Sequence, residues 1–176
     1  MGVSRFTPLL VVVLLAGCGT TPPPPAPTPT PPPSPTYGPP PPTGLSLSAG
    51  PVEAGLGHRA SVLTLTNRDT VPRKVTGYPD LKILAADGSP LDVEVRHETS
   101  YFAPDPGPQD LTLQPGEKAL SVLAWSATVT SGDKHTGAAI AVVPIPGEPV
   151  QKQPLETDLG TTGTVELSAW ASRIGN

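Results

Sequence analysis

Lys82-Ile-Leu-Ala-Ala-Asp-Gly-Ser-Pro-Leu-Asp-Val-Glu-Val95 is the stretch on which the fold turns. Leu91, Val93 and Val95 alternate with Asp92 and Glu94, the period of a half-buried strand. Lys82–Ala86 supplies a second short apolar run. Between them stands Asp87-Gly88, a pair that tolerates the positive φ of tight hairpin turns. The stretch therefore predicts a β-hairpin of 82–86 with 91–95, and with it an all-β domain.

The same texture continues in both directions. Upstream, Ala60-Ser-Val-Leu-Thr-Leu-Thr66 alternates and ends at the turn signal Asn67-Arg68-Asp69, and Leu45-Ser-Leu-Ser48 alternates before it. Downstream, Leu111-Thr-Leu113 runs into Pro115-Gly116. Ala119–Val129, Ala138–Val143 and Thr164–Ala171 read as further strands. No segment shows a helical period, and the 12 prolines beyond Gly44 oppose helices. Residues 44–176 thus read as one antiparallel β-sandwich of immunoglobulin-like kind with about eight strands, a β-barrel being the alternative. Trp125 and Trp170 are the expected core anchors, and Tyr78-Pro79 marks a bend because proline pushes its predecessor out of the α region.

Before Gly44 the chain is of another kind. Pro22–Pro42 holds 14 prolines in 21 residues. Such a run favours polyproline II and has no core of its own, so residues 18–43 read as a disordered, semi-rigid linker. At roughly 3.1 Å per residue it reaches about 65 Å. Its P-x-x-P spacings would also suit proline-binding modules, and its threonines and serines would accept O-glycans.

Residues 1–17 read as a signal peptide. Arg5 is the positive n-region, and Leu9–Ala16 is an apolar run far shorter than the ~20 residues of a spanning helix. Leu15-Ala16-Gly17-Cys18 resembles the lipobox of bacterial lipoproteins. That resemblance implies cleavage between Gly17 and Cys18 and a diacylglycerol thioether on the Cys18 sulfur. Cys18 is the only cysteine in the chain, which leaves no disulfide to form within it. Two or three acyl chains, at about 0.8 kcal/mol per buried methylene, hold a protein on a bilayer effectively permanently. The expected location is the extracytoplasmic face of the cell membrane.

Charge narrows the partners. The chain carries 11 basic and 15 acidic residues, a net −4, and has no basic cluster. Nucleic acid, which needs a Lys/Arg surface facing phosphate, is excluded as an expected partner. No cofactor is expected.

The search for chemistry finds little. His58, His97 and His135 have no metal-ligand spacing, and neither a G-x-S-x-G elbow nor H-E-x-x-H occurs. Asp80, Asp87, Asp105 and Asp110 form no calcium-loop register and read as turn residues. The loop His97-Glu-Thr-Ser-Tyr-Phe-Ala-Pro-Asp-Pro-Gly-Pro108 is the most informative. Its prolines stiffen it, and Tyr101-Phe102 either serve recognition or place one ring over the end of the sandwich core.

These residues carry a family resemblance. Leu63-Thr-Leu-Thr-Asn67, Thr76-Gly-Tyr-Pro-Asp-Leu81, Asp87-Gly88, Leu113-x-Pro115-Gly116, Ala119-x-x-x-Leu123-x-Trp125 and the Pro144–Pro154 stretch resemble, in order, the actinobacterial domain-of-unknown-function 4232 family. The resemblance covers roughly residues 44–171 and implies a cell-envelope lipoprotein domain with no catalytic residues to carry over. Members commonly place one cysteine shortly before the Gly-Tyr-Pro segment and another near the end. Here Arg73-Lys74 and Leu159-Gly160 stand near those places.

The function expected is therefore non-enzymatic. A membrane-anchored lipoprotein presents a binding domain to an envelope protein or glycan. The alternatives are a passive structural element of the envelope and a hydrolase or metal-binding protein with a site near His97 or His135.

Overall fold

In the computed structural model, which describes residues 43–175, every regular element is a strand. Residues 1–17, read above as a signal peptide, Gly17 and Cys18 with the expected cleavage and lipid attachment, and the proline run up to Pro42 lie outside the described residues.

Alternation builds the first layer. In β1 (Leu45–Ala49) and β3 (His58–Asn67), leucines point inward while serines and threonines largely face out. β3 pairs along its whole length with β8 (Lys118–Ser126), from His58 opposite Ser126 to Thr66 opposite Lys118. Short β2 (Glu53–Gly55) follows β1 along the same side of β3. β11 (Thr164–Leu167) flanks β8, and β6 (Glu94–Arg96) closes the sheet with the order β1-β3-β8-β11-β6.

The second layer is two smaller sheets. β10 (Gln151–Asp158), β9 (Thr136–Val143) and β5 (Asp80–Leu84) form one, and β4 (Arg73–Thr76) with β7 (Asp110–Leu113) forms the other. One apolar core joins the layers: Leu63, Leu65, Leu123 and Trp125 meet Ile83, Ile140 and Val142, with Val75 and Leu113 beside them. Each such side chain is worth about 1.5–3 kcal/mol once removed from water. Trp125 and Trp170 are fully buried, as anchors must be, and each indole N–H finds an acceptor, Asp158 Oδ1 at 3.1 Å and the Pro144 carbonyl at 2.8 Å.

The all-β, antiparallel sandwich is as expected, and the layers do not close into the alternative barrel. The strands number eleven rather than about eight. Three were unread: β2 and β4 are short and polar, and β10 contains Pro154. Proline cannot donate to a ladder, so β10 sits at the edge of its sheet and its register slips after Pro154.

The deciding stretch forms its turn but not its hairpin. Asp87 Oδ1 accepts from the Ser89 N–H at 2.9 Å and from its hydroxyl at 2.6 Å, and Gly88 takes φ +83. Leu84 and Pro90 make one bridge, and the Leu91 N–H donates to the Ile83 carbonyl. The ladder goes no further than this Leu91 bond. The chain then leaves β5, and β6 pairs in parallel with β11 in the other layer. Leu91, Val93 and Val95 still pack on the core. Side-chain period was read correctly; strand destination was not.

The open side between the layers is closed by side chains. Gln151 Oε1 accepts from the Leu47 N–H at 2.8 Å, while the Gln151 and Gln153 amides donate to the Leu45 and Leu47 carbonyls. These amides give the outer edge of β1 the bonds a neighbouring strand would make.

Where the family resemblance implies a cysteine, Arg73 instead pairs with Asp69 and with Glu148 of the turn after β9. Leu159, near the second such place, is wholly buried in the main core.

Candidate functional site

The outer face of the six-stranded sheet carries an apolar patch of its own. Ala60, Val122 and Ala124 point away from the main core and are nonetheless buried. What covers them is the loop after β6, through Phe102 and Ala103, together with Ile174 near the carboxyl end. The expected closure of the inter-sheet core by an aromatic ring therefore does not occur. Phe102 caps the outside of the sheet, because small alanines at facing positions of β3 and β8 let the loop lie close.

Asp105 pins this loop. Its Oδ2 accepts from the Tyr78 hydroxyl at 2.6 Å, and its Oδ1 accepts from the Ala169 N–H at 2.9 Å and the Gly107 N–H at 3.2 Å. Burial pushes the Asp105 carboxyl up, but those three hydrogen bonds and nearby His97 outweigh it and hold the group below its ordinary range. Tyr78 moves the other way. Its bond to Asp105, then burial, then the Asp105 charge raise the phenol to about 12. The Tyr78 ring lies flat on His97, centroids 3.9 Å apart and planes 5° apart. Asp105 and Asp87 are turn residues as expected, whereas Asp80 and Asp110 open β5 and β7.

Tyr101 is held differently. It stacks on His58 at 4.9 Å and 10°, and meets Phe102 edge-on at 5.4 Å and 86°. It remains 57% exposed. A Cβ on Gly55 would sit 3.4 Å from its Cε1, so the ring lies over the bare backbone of β2.

Next to it is the turn joining β2 to β3. Gly55 pairs with His58, leaving Leu56 and Gly57 as a two-residue loop with φ +48 and +84. Positive φ at both positions is the type I′ requirement, for which Asn-Gly is the favoured sequence. Leu56 is the only non-glycine residue with positive φ among the described residues, and it is 86% exposed. The turn touches the loop after β8: the Ala127 N–H donates to the Gly57 carbonyl, and Val129 beyond it is also exposed. Leu56, Tyr101 and Val129 thus gather at one end of the sheet. Sequence reading found Tyr101 and Phe102 but missed Leu56, because leucine carries no turn signal; the flanking Gly55 and Gly57 were the available clue.

Charged groups line the adjoining rows. Register sets Arg96 opposite Glu166, Glu166 opposite Ala124 and Ala60 opposite Glu53. Arg96 is engaged with Glu94 at 2.8 Å. Burial foremost, with a contribution from the charge of Glu98, raises the Glu166 carboxyl above its ordinary value, against the pull of His58 and Arg96.

His97 and His135 are not drawn into a common site. His97 is taken up by Tyr78, and the His135 backbone is bonded to Leu159 and Gly160. Among the described residues no group of three or more His, Cys, Asp or Glu is arranged to hold a metal ion. A cavity of about 60 Å³ lies beneath Pro104, Pro106 and Ile174. Larger hollows, of about 450 Å³ beside Leu111, Gly116 and Lys118 and about 380 Å³ beside Gln109 and Arg173, are open grooves that gather neither His97 nor His135. The exposed apolar groups at the Leu56 end make a surface the stronger candidate site.

The family model described as Domain of unknown function (DUF4232) matches residues 41–172, and the chain belongs to that family. No curated protein and no solved structure matches.

Proposed function

We propose that this member of the family is a bacterial, and by its resemblance actinobacterial, envelope lipoprotein, anchored outside the cytoplasm by lipid on Cys18 and working as a non-enzymatic binding domain. The leader 1–17 and the sequence Leu15-Ala16-Gly17-Cys18 support the anchor. One observation carries the binding role. Leu56 keeps a bulky apolar side chain exposed on a backbone that costs a non-glycine residue of order 1 kcal/mol or more, beside exposed Tyr101 and Val129. Folding gains nothing from such a side chain, whereas an interface would.

The arrangement of ends supports the same reading. Leu45 pairs with Asn67, so the chain enters at one end of β3, and the Leu56 turn lies at the other. A domain tethered at its entry end presents the Leu56 end away from the tether.

Two experiments test this. Cys18→Ala should move the protein from the membrane fraction to the soluble extracytoplasmic fraction; unchanged membrane retention overturns the anchor. A photo-crosslinking residue at Val129 should give a discrete adduct in cells that Leu56→Asn abolishes while the melting temperature holds or rises. An adduct pattern identical with and without Leu56 overturns the binding surface.

A further inference from the structure

The Tyr101 ring is fixed before any ligand arrives. His58 backs one face, Phe102 meets its edge, and Gly55 removes the side chain that would crowd it. A ring held in this way loses little freedom on binding. Phe102 is anchored in turn on the alanine patch, and Ser100 Oγ accepts from the Phe102 and Ala103 N–H groups at 3.3 and 3.2 Å. Tyr101 nonetheless stays 57% exposed, which with His58 on one face leaves the opposite face as the approach for a ligand.

An open π face carries partial negative charge and attracts groups with a positive edge. The axial C–H bonds of a pyranose ring form such a patch, and its hydroxyls project around the rim. Carboxylates lie farther along the same face: Glu166 stands opposite Ala124 on β11, and Glu98, in the loop after β6, is near enough for its charge to act on it. Glu166 and Glu98 accept hydrogen bonds as carboxylates, which are stronger than neutral pairs. The carboxylates also repel phosphate-bearing or carboxylate-bearing polymers, in keeping with the domain's acidic excess. A lipid surface with anionic headgroups is disfavoured for the same reason.

We infer that the open face of Tyr101 is a stacking platform for a pyranose of an uncharged polysaccharide, with Glu98 and Glu166 taking its hydroxyls. This rests on the binding role proposed above and names its ligand class.

The test uses the full lipidated chain in nanodiscs against immobilised chitin, β-glucan and mannan, with phosphate-rich teichoic acid as the anionic comparison. At least one uncharged polymer should retain the protein, and teichoic acid should not. Tyr101→Ala should weaken retention about tenfold, the scale of a lost aromatic contact. Tyr101→Phe should keep it within about twofold because the ring is preserved. Glu98→Gln with Glu166→Gln should weaken it as well. Melting curves of each variant separate loss of binding from loss of fold. Retention unaffected by Tyr101→Ala, or retention by teichoic acid alone, overturns the inference. A Leu56-dependent protein adduct with no glycan retained also overturns it while leaving the binding role standing. Neither adduct nor retention overturns both.

Discussion

Gly137 occupies a position where a methyl group has no room. A Cβ there would lie 2.3 Å from Ile83 Cγ2 and 2.4 Å from Thr157 Oγ1. Gly137→Ala should therefore destabilise the domain by about 2–3 kcal/mol through overpacking, seen as a lower urea midpoint at unchanged m-value. Its neighbour makes the opposite case. The Thr157 hydroxyl is buried with no hydrogen-bond partner. Thr157→Val keeps the shape and removes the stranded group, so it should stabilise by about 1 kcal/mol. Neither residue was legible in the sequence. Gly137 lies just before the run read as a strand, Ala138–Val143, and the crowding comes from β5 and β10, which only the fold brings against it. Trp125 and Trp170 were legible because their size leaves them nowhere else to go.

At the scale of elements, turns proved easier to read than pairings. Asp87-Gly88 and Pro115-Gly116 announce themselves by local backbone chemistry. Which strand β6 joins is decided by distant residues: it pairs with β11 and not with β5, the neighbour it faces in sequence. The β2–β3 hairpin was hidden for the reverse reason, since Leu56 violates the turn's preferences. Leu56→Asn restores them and should raise stability by about 0.5–1 kcal/mol while abolishing the binding proposed for that end, two opposite outcomes that calorimetry and crosslinking together would reveal. The glutamine seal makes another prediction. Replacing Gln151 and Gln153 with alanine exposes the edge of β1, and the double variant should aggregate faster on mild heating, followed by light scattering, even where its melting temperature shifts little.

Across the whole molecule, Asp105 joins three separate parts of the chain: the bend before β5, the loop over the outer face, and the segment leading to Trp170. Its role should appear in the pH dependence of stability. A carboxyl held below its ordinary range contributes stability that is present above the unfolded value, near 3.9, and is lost as pH falls through the folded one. Tyr78 acts at the other limb. Its phenol, at about 12, contributes stability below the unfolded value near 10 that disappears between about pH 10 and 12. Urea midpoints across pH should show both limbs, and Asp105→Ala should flatten them and cost about 2–3 kcal/mol at neutral pH. A wild-type alkaline limb that persists in that variant would refute the coupling. Class and layering were readable from composition and period, while this three-way junction joins residues that no local pattern connects.

β1 and β2 follow one another along a single side of β3. From Gly44 to Leu56 the backbone therefore runs nearly straight from the end of β3 at Asn67 to the opposite tip, and the proposed tether would join it at the Gly44 end. Tension between an anchored Cys18 and an object gripped at Leu56 would travel along a chain that is already extended. Covalent bonds would bear the load, the rest of the sandwich would hang beside the line of force, and pulling would not have to tear the core apart.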